Sequence, residues 1–408
     1  MKHRVPAVLV LLVASAAVAA AQINAAASTN TTFEYVYEKD EQYRVVSTVE
    51  QDVWVNGFFS HHATILNRIS VEVTDVEDGR GYHHATFLTS EEAVKGDEVF
   101  AWGEDYYSEF WRDRLGLYDI EDQYFMPVVR DVPVFPDRPL QPGDTWAFPG
   151  SEVHDFRRSF GIPDAYHFPI PVTYSYLGNE EREGREYAVV EIAYNVFYRP
   201  TVRYPGVIYP TRITGSSRQR LYWDIRAGRP AWYEETYEFL FGLSSGDEVL
   251  YEGSAEARVV DATRMDRARV MDEIRSELDQ RGFEDQDVVI DDLGVTIRLD
   301  NIMFPADSAY LSDSEQAKIR QIAEILANYP DRDILVTGHT ALAGTEEGRL
   351  QLSQERAEAV AEYLVEIGAR GRDQVILRGV GAQQPVADNS TEEGMRRNRR
   401  VEITILEN

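Results

Sequence analysis

The sequence contains no cysteine. Disulfides are therefore excluded as staples, and each domain has to stand on its own hydrophobic core. A lipid anchor attached through an N-terminal cysteine is excluded by the same absence. Lysine is scarce: Lys2, Lys39, Lys95 and Lys318 are the only four among 41 basic residues. Basic residues as a whole are outnumbered by 70 Asp and Glu, which leaves a formal net charge of −29. Such a surface repels phosphate backbones, so nucleic acid is not expected as a partner. Beyond the start of the chain no apolar run approaches the length of a membrane span, and no transmembrane helix is expected after signal cleavage. Also missing are a Gly-x-Ser-x-Gly nucleophile turn, zinc-ligand spacing and a glycine-rich phosphate loop. Paired carboxylates are plentiful in so acidic a chain and identify nothing. The expectation is a non-enzyme without cofactor or metal.

What is present suffices for folded domains. The chain has 408 residues, 43% hydrophobic and 27% charged, ordinary values for two or three domains with real cores. It opens on MKHRVPAVLVLLVASAAVAAAQ, with Lys2, His3 and Arg4 before an apolar run and Ala19-Ala20-Ala21 before Gln22. A positive start, a short apolar stretch and small residues predict a signal peptide over residues 1–21, hence an exported protein.

From about residue 33 to 260 the pattern has period two. Tyr43, Val45, Val49, Val53 and Val55 share one face, as do Ile69, Val71 and Val73. Residues 187–198 read as a longer strand, with a hairpin loop expected at Gly178–Gly184. Residues 221–226 and 231–239 flank Ala-Gly-Arg-Pro, a second hairpin. This predicts an antiparallel all-β domain. A soluble sandwich or open barrel competes with an outer-membrane barrel, and the proline-rich FPDRPLQPGDTWAFPG (135–150), read as a surface loop, favours the soluble form. DYYSEFWRDRLGLY (105–118) mixes aromatics with charges. It fits either a ligand-binding patch or an amphipathic element with a polar rim. His61-His62 and His83-His84 suggest a metal, but adjacent strand residues point to opposite faces and do not chelate simply.

Residues 261–284 read as a helical connector, with Thr263 and Asp266 at its start and Ala268, Met271, Ile274 and Leu278 as its apolar stripe. From about residue 285 the rhythm changes to strand, helix, strand, helix, strand. Residues 288–290 and 295–299 flank a turn at Asp292-Leu293-Gly294. Ser312 with Glu315 predicts a capping box, and Ile319, Ile322, Ala323 and Leu326 face inward. A long helix with inner residues Leu352, Ala359, Val360, Tyr363, Leu364 and Ile367 ends at Gly368. The fold class is thus α+β and multidomain: the all-β domain, then an α/β sandwich over residues 285–408 with helices on one side of a mixed sheet.

The segments IMFPADSAYL, ILVTGHTALAG, LQLSQERAEAVAEYLVEIGA and VILRGVGAQQPVADNSTEEGMRRNRRVEI resemble the C-terminal OmpA-like domain family. Gly-His-Thr, Leu-Ser-x-x-Arg-Ala, Gly-x-Gly and Asn-Arg-Arg-Val-Glu fall in order at that family's spacing. The resemblance covers roughly the last 120 residues. It implies a βαβαβ mixed sheet and non-covalent binding of the peptidoglycan stem peptide in the periplasm, which would position the β domain in the envelope. In this reading Arg356 grips a carboxylate through a bidentate fork, assisted by Thr340, the amides of the Gly338–Gly344 loop, Asp307, Arg349 and Arg400. One departure stands out: where the family usually has Asp after Gly-His-Thr, this chain has Ala341. Arg349 and Asp307 stand where Asn is usual. The alternative is an OmpA-like domain that has lost wall binding and meets another envelope protein. For Asn398–Arg400 the resemblance leaves open a purely structural role, tying the last helix to the sheet.

Overall fold

The computed structural model describes residues 30–92, 100–261, 265–283, 287–291, 293–299, 304–305 and 308–407. The expected signal segment, Thr263, Asp292 and Asp307 lie outside the described residues. The chain divides into two compact units: Met1–Thr89 with Asp105–Ala262, and Ser90–Glu104 with Thr263–Asn408.

The first unit is built from strands β1 (Gln42–Val55), β2 (Phe58–Glu77), β3 (Arg80–Glu92), β4 (Phe100–Arg112), β5 (Tyr118–Ile120), β6 (Val129–Arg130), β7 (Thr145–His154), β8 (Tyr166–Arg182), β9 (Arg185–Tyr198), β10 (Pro210–Asp224), β11 (Arg229–Leu243) and β12 (Glu248–Asp261). Antiparallel pairing runs β6-β7-β8-β9-β10-β11-β12-β1-β2. The first long strand therefore lies beside the last. Alternation is the cause of the layering: Val49 and Val53 of β1 and Tyr251, Ala255 and Ala257 of β12 are buried, whereas Thr48, Glu50, Glu252, Glu256 and Arg258 are exposed. The charged and the apolar side chains thus lie on opposite faces of the sheet.

The core is aromatic. Phe33 stacks on Phe135 at 4.9 Å between centroids, and Trp223 meets Phe135 edge-on at 4.8 Å. Tyrosine supplies bulk together with a polar tip that must be satisfied: the Tyr194 hydroxyl donates to Glu152 (2.8 Å) and the Tyr237 hydroxyl to Gln51 (2.9 Å).

Two expectations change here. Strand β8 runs through Gly178 to Arg182, so the hairpin turn is Glu183-Gly184; Gly178, at φ 110°, sits at a register shift after Tyr176. The proline-rich segment is a loop only as far as Asp144, because Thr145 starts β7 and Pro149 lies opposite Pro171. His83 is buried, its Nδ1 2.9 Å from the Gly81 carbonyl and its ring stacked on Phe110 at 5.0 Å.

The second unit comprises α1 (Arg267–Gln280), β13 (Asp287–Ile290), β14 (Gly294–Leu299), α2 (Asp313–Leu326), β15 (Ile334–Gly338), α3 (Glu346–Glu366), β16 (Val375–Gly379), α4 (Glu392–Asn398) and β17 (Val401–Leu406). The sheet order is β13-β14-β17-β15-β16, antiparallel except for β15 with β16. Phe100 and Ala101, which group with this unit, extend it in parallel beside Ile376 and Leu377. One cluster holds Ile319, Ile322 and Leu326 of α2, Val360 and Leu364 of α3 and Val336, Ile403 and Ile405 of the sheet. Helix α1 adds Val270, Ile274 and Leu278 to the same cluster; Ala268, expected in its stripe, is exposed. Ser312 is the N-cap of α2, but its hydroxyl makes no capping bond, and Glu315 pairs with Lys318 at 3.1 Å, so the expected capping box does not form. Gly368, at φ 70°, follows the last turn of α3 as expected.

Candidate functional site

The site is set by how closely β15 and α3 approach. A Cβ on Gly338 would collide with the Ser353 carbonyl, and one on Gly379 would press on the Gln354 amide, so only glycine allows the contact. The Ser353 hydroxyl donates to the Leu350 carbonyl (2.8 Å) and accepts from the Gly381 amide (2.8 Å). The Gly381 carbonyl in turn accepts from the Thr340 amide (2.9 Å), and the Gly338 carbonyl from Val380 (3.1 Å). These bonds tie the Gly-His-Thr turn, the Gly-x-Gly turn and the middle of α3 into one piece. Arg356 lies one helical turn beyond Ser353.

Arg356 is only 5% exposed. Its Nε donates to the Ser308 carbonyl (3.1 Å) and its Nη2 to the Pro305 carbonyl (3.4 Å), while the guanidinium lies 5.0 Å from the Phe304 ring. The expected open arginine fork is thus an arginine oriented by a loop. Thr340 is 6% exposed, and its Oγ1 is buried without a hydrogen-bond partner among the described residues. Ala341, 4% exposed, places a methyl group beside it. Arg349 donates to the Gly344 carbonyl at 2.7 Å.

Two of the expected contributors already have partners within the protein. Arg400 is 3% exposed and its Nε donates to Glu402 at 2.8 Å, so its charge is met inside the protein. The loop amides of His339, Thr340, Leu342 and Ala343 already donate to Arg400 O, Gly381 O, Asn389 Oδ1 and Ala341 O. They are engaged in holding the loop rather than open to a ligand. Elsewhere in the basic cluster Arg396 pairs with Glu393 (2.7 Å), and Arg397 lies 3.7 Å from Asp287. Asn398 accepts from the Val386 and Ala387 amides (2.8 and 3.0 Å) and donates to the Ala387 carbonyl, the tie between α4 and its neighbouring loop.

Glu402 is the acid that sequence reasoning missed. It meets Arg298 (3.1 Å), Arg400 (2.8 Å) and, through its other oxygen, His339 (3.4 Å). Burial opposes its ionisation, but His339 and Arg400 outweigh burial and pull its pKa down to about 2. Burial, more than Glu402 can offset, lowers the pKa of His339, which is neutral at pH 7. The Asn-Arg-Arg-Val-Glu string carried the signal for Glu402: an acid two residues after a buried arginine shares its strand face.

The geometry defines an α/β unit with a turn-and-helix lock around one oriented arginine. Residues 303–399 match the model of the OmpA family, so this part of the chain is an OmpA-family domain. The peptidoglycan-binding protein ArfA of Mycobacterium tuberculosis is 38% identical over 104 residues, covering 26% of this chain and 32% of that protein. Outer membrane porin F of Pseudomonas aeruginosa is 38% identical over 112 residues, covering 27% and 31%. Among solved structures, the peptidoglycan-associated lipoprotein from Burkholderia pseudomallei is 37% identical, with 25% of this chain and 86% of that chain covered at a TM-score of 0.24. The chain spans about a third of the length of the two curated relatives.

Proposed function

We propose that the protein is an exported envelope component whose C-terminal unit binds the peptidoglycan stem peptide non-covalently and so positions the β unit. The observation that carries this reading is the orientation of Arg356 by the Pro305 and Ser308 carbonyls within the segment that matches the OmpA family. A preset guanidinium loses less conformational freedom on meeting a carboxylate. The buried Thr340 hydroxyl, without a partner among the described residues, is a second group that a ligand would satisfy. Relatives named for peptidoglycan binding or association support the same reading. Arg349 contributes at the start of α3, and Asp307 enters this reading from the family resemblance alone. Arg400 acts indirectly, through the turn it helps to hold.

A second reading has its own support. Ala341 removes the acid that would meet the ligand's ammonium, and the amides of His339, Thr340, Leu342 and Ala343 are engaged internally. Under it the unit keeps the fold and serves as an interaction module for another envelope protein. Co-sedimentation of the full chain with purified sacculi separates the two. The first reading expects retention that Arg356→Ala abolishes and Arg356→Lys weakens, with unchanged circular dichroism in both variants. Absence of retention for the folded wild type across salt from about 0.01 M to 0.15 M rejects it in favour of the second.

A further inference from the structure

The aromatic, charged stretch at residues 105–118 takes part in a feature unrelated to the wall site. Phe110, Arg112 and Tyr118 line a cavity of ≈ 210 Å³ inside the first unit. Most of its wall is apolar, including Val45, Ile69, Val71, Ala85, Leu221 and Val259. That volume exceeds the roughly 150 Å³ of a dry cavity that accepts benzene, so there is room for a ligand of about ten heavy atoms.

One cation points the chemistry. The Arg112 guanidinium lies 4.0 Å from the Tyr35 ring and 4.5 Å from the Tyr118 ring. Its Nε donates to the Gly116 carbonyl (3.2 Å) and its Nη2 to the Val132 carbonyl (3.5 Å). Among the described residues no carboxylate lies within ion-pair distance of it. Arg112 is half-buried, and a guanidinium held among apolar side chains normally recruits a carboxylate, because shielding a charge from water without a partner is costly. The Tyr35 hydroxyl, on a residue 6% exposed, has no hydrogen-bond partner among the described residues. It is an independent sign of a missing polar group in the same cavity.

The other titratable groups do not fill that role. His83 is held neutral, its pKa lowered to about 4 by burial and by Arg112. Glu41 and Arg229 pair with each other. The Glu235 carboxylate accepts from the Ser217 hydroxyl.

We infer that the first unit binds a compact amphipathic monoanion, with its apolar body among the aliphatic side chains and its carboxylate on Arg112 and the Tyr35 hydroxyl. The apolar wall selects the body, and the Arg112 guanidinium, which has no ion-pair partner among the described residues, selects the sign of the head group. Octanoate has the size and chemistry to probe it.

The test is calorimetric titration of the full chain with octanoate, octan-1-ol and octylamine. Octanoate is expected to bind about tenfold or more tighter than octan-1-ol, the ratio a charge-assisted bond confers, and octylamine not to bind. Arg112→Met should bring octanoate down to the level of octan-1-ol. Should that variant fail to fold, Ala85→Leu, which fills the cavity, should abolish binding of both ligands without lowering thermal stability. Octanoate binding no tighter than octan-1-ol, preferential binding of octylamine, or full octanoate binding by folded Ala85→Leu would each overturn the inference.

Discussion

Single residues set the polarity of the second unit's site. At position 341 a methyl group stands where an acid would meet an ammonium, and it is buried beside the Thr340 hydroxyl, which has no hydrogen-bond partner among the described residues. Ala341→Asp is expected to strengthen retention on sacculi by about ten- to a hundredfold, the equivalent of one charge-assisted hydrogen bond of about 1.5–3 kcal/mol. Binding isotherms at fixed sacculus concentration measure it; an unchanged affinity would show that the ligand places no ammonium there. Glu402 sets the charge balance behind the turn. Glu402→Gln leaves Arg298 and Arg400 without their shared acid and should cost about 3–5 kcal/mol in denaturant unfolding. The sign of its pH dependence follows from a folded pKa of about 2 against an ordinary 4.5. The stabilisation is complete above pH 4.5 and drains away as pH falls toward 2, about 3 kcal/mol in all. Protonation of neutral, buried His339 adds to the loss at acid pH, starting below 6.5. The Gln variant should show a flatter acid limb, and an identical limb would remove Glu402 from the account.

At the scale of elements, close approach governs more than propensity does. Gly338→Ala forces β15 away from Ser353 and should cost about 3 kcal/mol or more, with Arg356 displaced as a consequence. A melting temperature equal to wild type would mean that strand and helix do not need this contact. The cap of α1 is an ordinary one: Asp266 accepts from the Arg269 amide at 3.1 Å, and Asp266→Ala should cost about 1 kcal/mol. The helices and strands of this unit were legible because apolar residues recur at their natural spacings. The buried face of α3 was only half legible. Periodicity selected Leu352, Ala359 and Ile367, all partly exposed, and passed over Ser353, Arg356 and Ala357, all buried. A polar side chain goes inside when backbone groups receive it, and hydrophobicity alone does not register such a partner. The same reason hid Glu402 among surface-looking charges.

The whole molecule carries a net charge of −29, which bears on how it would meet an anionic wall under the proposed function. Long-range repulsion acts against encounter, while contact through a nearly buried arginine is short-ranged and weakly screened. Retention on sacculi should therefore hold or rise between about 0.01 M and 0.15 M salt, the range over which the screening length falls from about 30 Å to 8 Å. A steep loss over that range would assign retention to exposed basic residues instead of Arg356. By itself the sequence determined the class of each part: the alternating strands, the change of rhythm near residue 285, the ordered motifs around Arg356 and the missing acid at Ala341. These are local properties, written in spacing and composition. Only the tertiary structure decided which charges are spent internally, which hydroxyls lack partners, and that Arg112 and Tyr35 line one cavity. Those depend on distances between residues remote in the chain, and such distances exist only once strands and helices have packed.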